Sequence, residues 1–395
     1  MLKEIKMKKT SYILILISLL LSLNLAAQEK EGFMNRVKGL FSPGYRIGSY
    51  TFKDGSVYTG DLRKCRPNGV GKTLFLNKDI YEGAYINGRK EGFGELRLHS
   101  GEKYAGHWTN DIQQGKGDYF FLNNNQYSGL WENGFQHGEG KMYYHNGDIY
   151  DGEWYKNQRH NFGTYTWVNG AKYIGEWAND KKNGKGSMIW NDGSKYTGDW
   201  VNDQRKGKGV FDYVNGDQYT GDWDNDIQHG KGIYNFHTGD RYEGTYNQGA
   251  RTGQGTYTYA NGDVYEGAFK DGVQEGEGTF SWINGASYTG GWKNNQREGH
   301  GKYIWSNGDI YEGEWEEGQP NGLGKLQLVE GTTYEGEFVN GLEEGKGVLT
   351  DSEGHRHEGT FKGGKKDGDF TEYDAEGNVV KRTRYRNGFI QSTLN

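Results

Sequence analysis

Several short segments carry residue types that do chemistry in other proteins. Gly138-Glu139-Gly140-Lys141 has close-set glycines followed by a lysine, as a phosphate-cradling loop does. Such a loop needs Gly-x-x-x-x-Gly-Lys-Ser/Thr between a strand and a helix, and here Gly-Lys pairs recur along the chain with no helix to open. Asp224-Asn225-Asp226 offers oxygens to a calcium ion. Similar Asn-Asp pairs recur elsewhere, without the Gly and Glu of an EF-hand loop. The 10 His residues are scattered, with no His-Glu-x-x-His, no Cys-His cluster and no nucleophile motif. Cys65 is alone, which excludes a disulfide framework or a thiolate cluster, and it is expected as a buried small apolar residue. No catalytic residue, cofactor site or metal site is therefore expected, and the chain is expected not to be an enzyme.

What recurs is aromatic. Tyrosine returns every 23 residues, at 58, 81, 104, 127, 150, 173, 196, 219, 242, 265, 288, 311 and 334, and the next step lands on His357. A fixed period of this length marks a repeat array, in which each repeat buries its apolar surface against its neighbours. With the tyrosine as position 1, glycine holds position 3 from Gly60 to Gly359 and position 14 in thirteen repeats. Position 5 is Trp in eight repeats and Tyr or Phe in five, with Leu62 the exception. Positions 16 and 18 are mostly large and apolar, and all 12 Trp fall at position 5 or 18.

Spacing by two within positions 1, 3, 5 and within 14, 16, 18 is the strand period, with charged residues and Thr on the other face. Each repeat therefore reads as one hairpin of two strands of about six residues, joined by a polar loop. Helices are excluded by the glycine content, because each interior Gly costs about 1 kcal/mol relative to Ala. After position 18, Asn-Gly signals a turn. A two-residue loop would put the next tyrosine on the opposite face from position 18, whereas a three-residue loop with Gly in the left-handed region preserves parity. The second is expected, with Gly147, Gly170, Gly193, Gly216, Gly262, Gly285 and Gly308 left-handed. Gly at positions 3 and 14 lies between rings, so Gly198→Val is expected to clash with a neighbouring Tyr or Trp. The fold class is all-β: an elongated single-layer antiparallel sheet of stacked 23-residue hairpins, twisted or curved.

Residues 45–57 look like the second half of a repeat and are expected to cap the array over 58–368, while 369–395 follow a divergent pattern around Tyr373, Gly377, Tyr385 and Gly388. At the other end, Lys6, Lys8 and Lys9 precede an apolar run from Tyr12 to Leu25 and then Ala26-Ala27-Gln28. That is the pattern of a secretory signal peptide over 1–27, followed by a linker over 28–44. Export to a bacterial periplasm, cell envelope or extracellular space is expected. Removing residues 1–27 takes away four Lys and one Glu from a chain of net charge -6. The remainder is acidic and gives no support to nucleic acid as partner.

Tyr173-Ile174-Gly175-Glu176-Trp177 followed by Gly184-Lys185-Gly186 resembles the MORN (Membrane Occupation and Recognition Nexus) repeat, and the resemblance runs from residue 58 to about 368. The tail from Gly368 resembles a divergent variant of the same repeat. Leu62, Asn161 at position 12 and His357 depart from the pattern. The resemblance implies antiparallel hairpins stacked into an elongated sheet, and a scaffold or recognition module, in some members close to membranes. The aromatic columns have two readings. They cover one another as a core, or they line a groove formed by Trp108, Trp131, Trp154, Trp177, Trp200, Trp223, Trp292 and Trp315 with Tyr150, Tyr173, Tyr196 and Tyr219. A protein partner on that surface is the first expectation, membrane phospholipid the alternative, and a glycan the third.

Overall fold

The computed structural model describes residues 45–394. The signal peptide and the linker expected over 1–44 lie outside the described residues. The chain is all-β, with thirty-two strands from Tyr45–Thr51 to Phe389–Leu394 and no helix among the described residues. It divides into two compact units, one ending at Gly184 and the other beginning at Lys185. Within each, consecutive antiparallel hairpins form an open sheet that is not closed into a barrel.

One repeat shows the construction. Ile149–Tyr155 is the first strand and Gln158–Thr166 the second, seven and nine residues long. They are longer than expected because the polar loop shrinks to two residues, Lys156 and Asn157, with φ of 48° and 70°. Positive φ at both central residues makes a turn whose twist matches that of the flanking strands. The extra length is taken up inside the hairpin. Tyr150 pairs with Tyr165 and Gly152 with Gly163, but Trp154 pairs with Arg159, so one residue faces three across a bulge. Asn161 in that bulge has φ 50°, and the same position is left-handed glycine in the repeats at Gly207 and Gly299. Position 12 is thus mostly glycine because the bulge needs a residue that tolerates the left-handed region.

The connection to the next repeat is the expected three-residue loop. The Trp167 amide donates to the Ala171 carbonyl and the Gly170 amide to the Trp167 carbonyl, each at 2.9 Å. The seven glycines expected to be left-handed have φ between 88° and 96°. Parity is kept, and Tyr165 sits opposite Tyr173 on the same face. One expectation needs correction, at Cys65, and the clash expected at Gly198 is present and goes further. Cys65 is exposed rather than buried, because it stands at the second left-handed position (φ 57°) of a two-residue turn. At Gly198 an added Cβ meets backbone as well as a ring: Lys208 O lies at 2.4 Å, and Gly209 Cα and Tyr196 Oη at 2.5 Å.

At the C-terminal end, where His357 replaces the tyrosine, the Phe370 ring lies over Gly359 and is 1% exposed. Phe370 stacks edge-on against Phe361 at 5.2 Å.

Candidate functional site

The tyrosines at position 1 are among the most deeply buried large side chains of the described residues, from 0% exposed at Tyr58 to 2% at Tyr334. A single-layer sheet achieves this because each ring lies flat on the backbone of its own repeat. A Cβ on Gly163 would fall 2.3 Å from Tyr150 Oη. The hydroxyl then donates to the carbonyl at position 4, as Tyr150 does to Glu153 at 2.9 Å and Tyr196 to Asp199 at 3.0 Å. Most of these tyrosines are flanked edge-to-face by the position-5 ring of their own repeat and by that of the next, whereas Tyr58, with Leu62 at position 5, has only Tyr85 of the next repeat. Tyr150 lies 5.2 Å from Trp154 and 5.4 Å from Trp177. Such T-shaped pairs add about 0.5–1.5 kcal/mol beyond burial.

The indole N–H at position 5 ties neighbouring repeats. Trp177 donates to Gly163 O at 3.2 Å, and Trp315 to Gly301 O at 3.2 Å. A cation covers several of these rings from outside: the guanidinium of Arg159 is 4.3 Å from the Trp177 centroid, that of Arg205 4.3 Å from Trp223, and that of Arg297 4.3 Å from Trp315. Arg159 and Arg205 are in turn held by Asp180 and Asp226.

The surface expected from Trp108, Trp131, Trp154, Trp177, Trp200, Trp223, Trp292, Trp315, Tyr150, Tyr173, Tyr196 and Tyr219 is therefore the core of the sheet, with every one of these rings 8% exposed or less. The aromatic surface open to solvent lies one column over, at positions 16 and 18. In the unit from Lys185 on, Trp190, Phe211, Tyr213, Tyr234, Phe236, Tyr257, Tyr259, Phe280, Trp282, Tyr303 and Trp305 form one unbroken ladder. Successive centroids are 4.4 to 5.9 Å apart. These rings are half-buried, and Trp305 is 36% exposed. Their indoles differ from those at position 5: Trp190, Trp282 and Trp305 donate to no acceptor among the described residues. The signal for this ladder was the large residue at positions 16 and 18, but period two alone does not tell which ring column of a face is covered.

Acidic residues edge the ladder. Tyr234 donates to Asp217 at 2.8 Å and Tyr257 to Asp240 at 2.9 Å. Burial and the bonded carboxylate push the Tyr257 phenol up to about 12. Burial opposes the charge on Asp217, but bonds from the His237 amide and ring, Tyr234 and Asn215 outweigh it and hold its carboxyl well below the usual carboxylate range.

The opposite face carries a groove of about 640 Å³ in the same unit. Its floor is the glycine ladder, including Gly209, Gly221 and Gly232, and its walls include Thr197, Val210, Thr220 and Ile233. Lys208 on its margin pairs with Asp222 at 2.6 Å. The phosphate-loop-like segment Gly138-Glu139-Gly140-Lys141 and the acidic segment Asp224-Asn225-Asp226 have structural duties. Gly138 is a left-handed residue, Gly140 lies under Tyr127, and Lys141 pairs with Asp151 at 2.7 Å. Asn225 and Asp226 are the two left-handed residues of a turn.

The MORN repeat family model matches residues 81–356 in twelve consecutive copies of 23 residues. The chain belongs to the MORN repeat family. Among curated proteins none matches this MORN protein. Solved structures with some likeness include the SAS-4 (dCPAP) TCP domain of Drosophila melanogaster in complex with a proline-rich motif of Ana2, 16% identical over 40% of this chain and 85% of that one, with a TM-score of 0.27. The G-box domain of the microcephaly protein CPAP is 13% identical over 54% and 99%, with a TM-score of 0.19. A streptogramin B lyase is 13% identical over 75% and 92%, with a TM-score of 0.13. At such TM-scores none of these likenesses bears on what this MORN protein binds or does.

Proposed function

We propose that this MORN protein is an exported, non-catalytic scaffold that binds a protein partner along the aromatic-lined surface of its sheet. One observation carries the reading: the half-exposed ladder from Trp190 to Trp305, whose indole N–H groups at Trp190, Trp282 and Trp305 have no hydrogen-bond partner among the described residues, while position-5 indoles such as Trp177 and Trp223 are tied to backbone. Trp and Tyr dominate binding hot spots, because they bury much area and keep a polar tip. A repeated surface of this kind suits an extended partner. Export rests on the pattern of residues 1–27.

The reading is tested by cross-linking the full chain to its partner in the exporting cell and repeating the capture with Trp282→Ser and Trp305→Ser. Capture should fall with each while the melting temperature holds, since both rings lie on the surface. Capture that is unchanged in both variants would contradict the reading. Phospholipid association is the second reading, favoured by Lys381, Arg382 and Arg386 near the C-terminus. Arg384 beside them is already paired with Asp369. Flotation with anionic vesicles decides it, and retention that survives high salt would favour lipid over a protein partner.

A further inference from the structure

We infer that the partner segment seated on the ladder of the unit from Lys185 on is an extended, basic polypeptide with Arg or Lys recurring about every third residue. The inference rests on the scaffold reading above and names the class of partner that this surface takes.

Charge comes first. Along the outer margin of the ladder Asp192 stands within a three-residue loop and Asp217, Asp240, Asp263 and Asp309 close such loops just after their glycines, and between Trp190 and Asp309 no Lys or Arg stands at these loop and closing positions. Structural bonds keep these carboxylates in place: Asp217 accepts from the His237 amide, Asp240 from the Ala260 amide and Asp309 from the Val329 amide, each within 2.8 Å. Their negative field therefore lies at fixed points, one on each of most repeats. The ring chemistry points the same way. A cation is drawn to an aromatic face, more so where a carboxylate stands beside it. The chain uses this device internally, with Arg205 between Asp226 and the Trp223 ring. Along the outer margin the same pairing of ring and carboxylate recurs at Tyr257 with Asp240, where no Lys, Arg or His of the described residues bonds the carboxylate, and at Tyr234 with Asp217, where the His237 ring already lies 2.8 Å from the carboxylate. Arg205, Arg251 and Arg297 occupy only the inner margin, 5.3 to 5.4 Å from the centroids of Phe211, Tyr257 and Tyr303.

Spacing sets the pattern. Two strands per repeat place successive carboxylates about 9.6 Å apart. An extended chain rises about 3.1–3.4 Å per residue and covers that distance in about three residues. Backbone carbonyls of such a chain would accept from the free indole N–H of Trp282 and Trp305.

The test uses the full chain and a fluorescent peptide of about twelve residues, long enough for four repeats, with arginine at every third position among Gly and Ser. An isomer with the arginines contiguous is the control. The spaced peptide should bind about tenfold more tightly than the isomer, weaken with salt, and lose about tenfold in affinity on Trp282→Ser or Asp240→Asn. Melting temperatures of both variants show that they are folded. Equal binding of the two isomers, or binding indifferent to both substitutions, would overturn the inference. A cross-linked partner that depends on Trp282 but is not displaced by the spaced peptide leaves the scaffold reading standing and removes this one. Absence of any Trp282-dependent partner removes the scaffold reading itself.

Discussion

Tyrosine rather than phenylalanine stands at position 1 because two things are asked of the ring. Its face must lie on glycine, and its hydroxyl must reach the carbonyl at position 4. These demands separate by substitution. Tyr196→Phe keeps the ring and removes the bond to Asp199 O, and should lower stability by about 1 kcal/mol in denaturant unfolding. Gly209→Ala should cost about 1–3 kcal/mol or more, since its Cβ would lie 2.3 Å from Tyr196 Oη with backbone fixed on both sides. If Gly209→Ala proved neutral, the close approach of ring to backbone would be contradicted. The burial of these phenols also sets an alkaline limit. Burial, the largest cause, raises Tyr242 and Tyr311 from 10.0 to about 12. A folded-state pKa raised above the unfolded one gives stability that is fully present below pH 10 and lost as pH rises through about 12. Denaturant midpoints should therefore be flat up to pH 10 and fall steeply above it. A flat profile through pH 12 would show that the rings are solvated. The identity of the buried atoms was legible in the Tyr and Trp columns. Their role was not, because period two places Trp177 and Trp167 on one face without showing that glycine lies under the ring system of the first column only.

At the level of the hairpin, the three-residue loop was legible from parity, since Asn169-Gly170 had to leave Tyr173 on the face of Trp167. The short turn and the bulge were not. The stretch from Tyr155 to Phe162 is polar and looks like a loop, yet Lys156 and Asn157 make the whole turn and the rest is strand. Its trace was present in the recurring Asn-Asp pairs, which tolerate positive φ, and in glycine at position 12. The exposure of Cys65 has the same origin, since it fills the second position of such a turn. Gly216→Ala tests the loop. With φ 91° and only the His237 Cβ nearby at 3.3 Å, the cost should be backbone strain of about 1 kcal/mol rather than a clash. Deleting 196–287 removes four whole repeats and joins Lys195 to Tyr288 in phase. The shortened chain should keep its strand spectrum, with a denaturant slope reduced in proportion to the surface lost. Loss of the strand signal would show that the hairpins do not stack as independent neighbours.

Across the whole molecule, twelve tryptophans fall into two classes whose environments differ in kind. Eight, at position 5, are buried and bonded to the carbonyl of a glycine in the preceding repeat, from Trp108 to Gly94 through Trp315 to Gly301. Four, Trp167, Trp190, Trp282 and Trp305, close the second strand on the open side of the same face. This partition separates the part of the aromatic surface that holds the sheet from the part that can meet a partner. Hydrogen exchange at the indole N–H, followed by NMR on the full chain, reads all twelve at once. Eight slowly exchanging and four rapidly exchanging indoles are expected, the rapid set assigned by Trp→Phe substitution to residues 167, 190, 282 and 305. Uniformly fast exchange, or slow exchange at those four and fast at the eight, would contradict it.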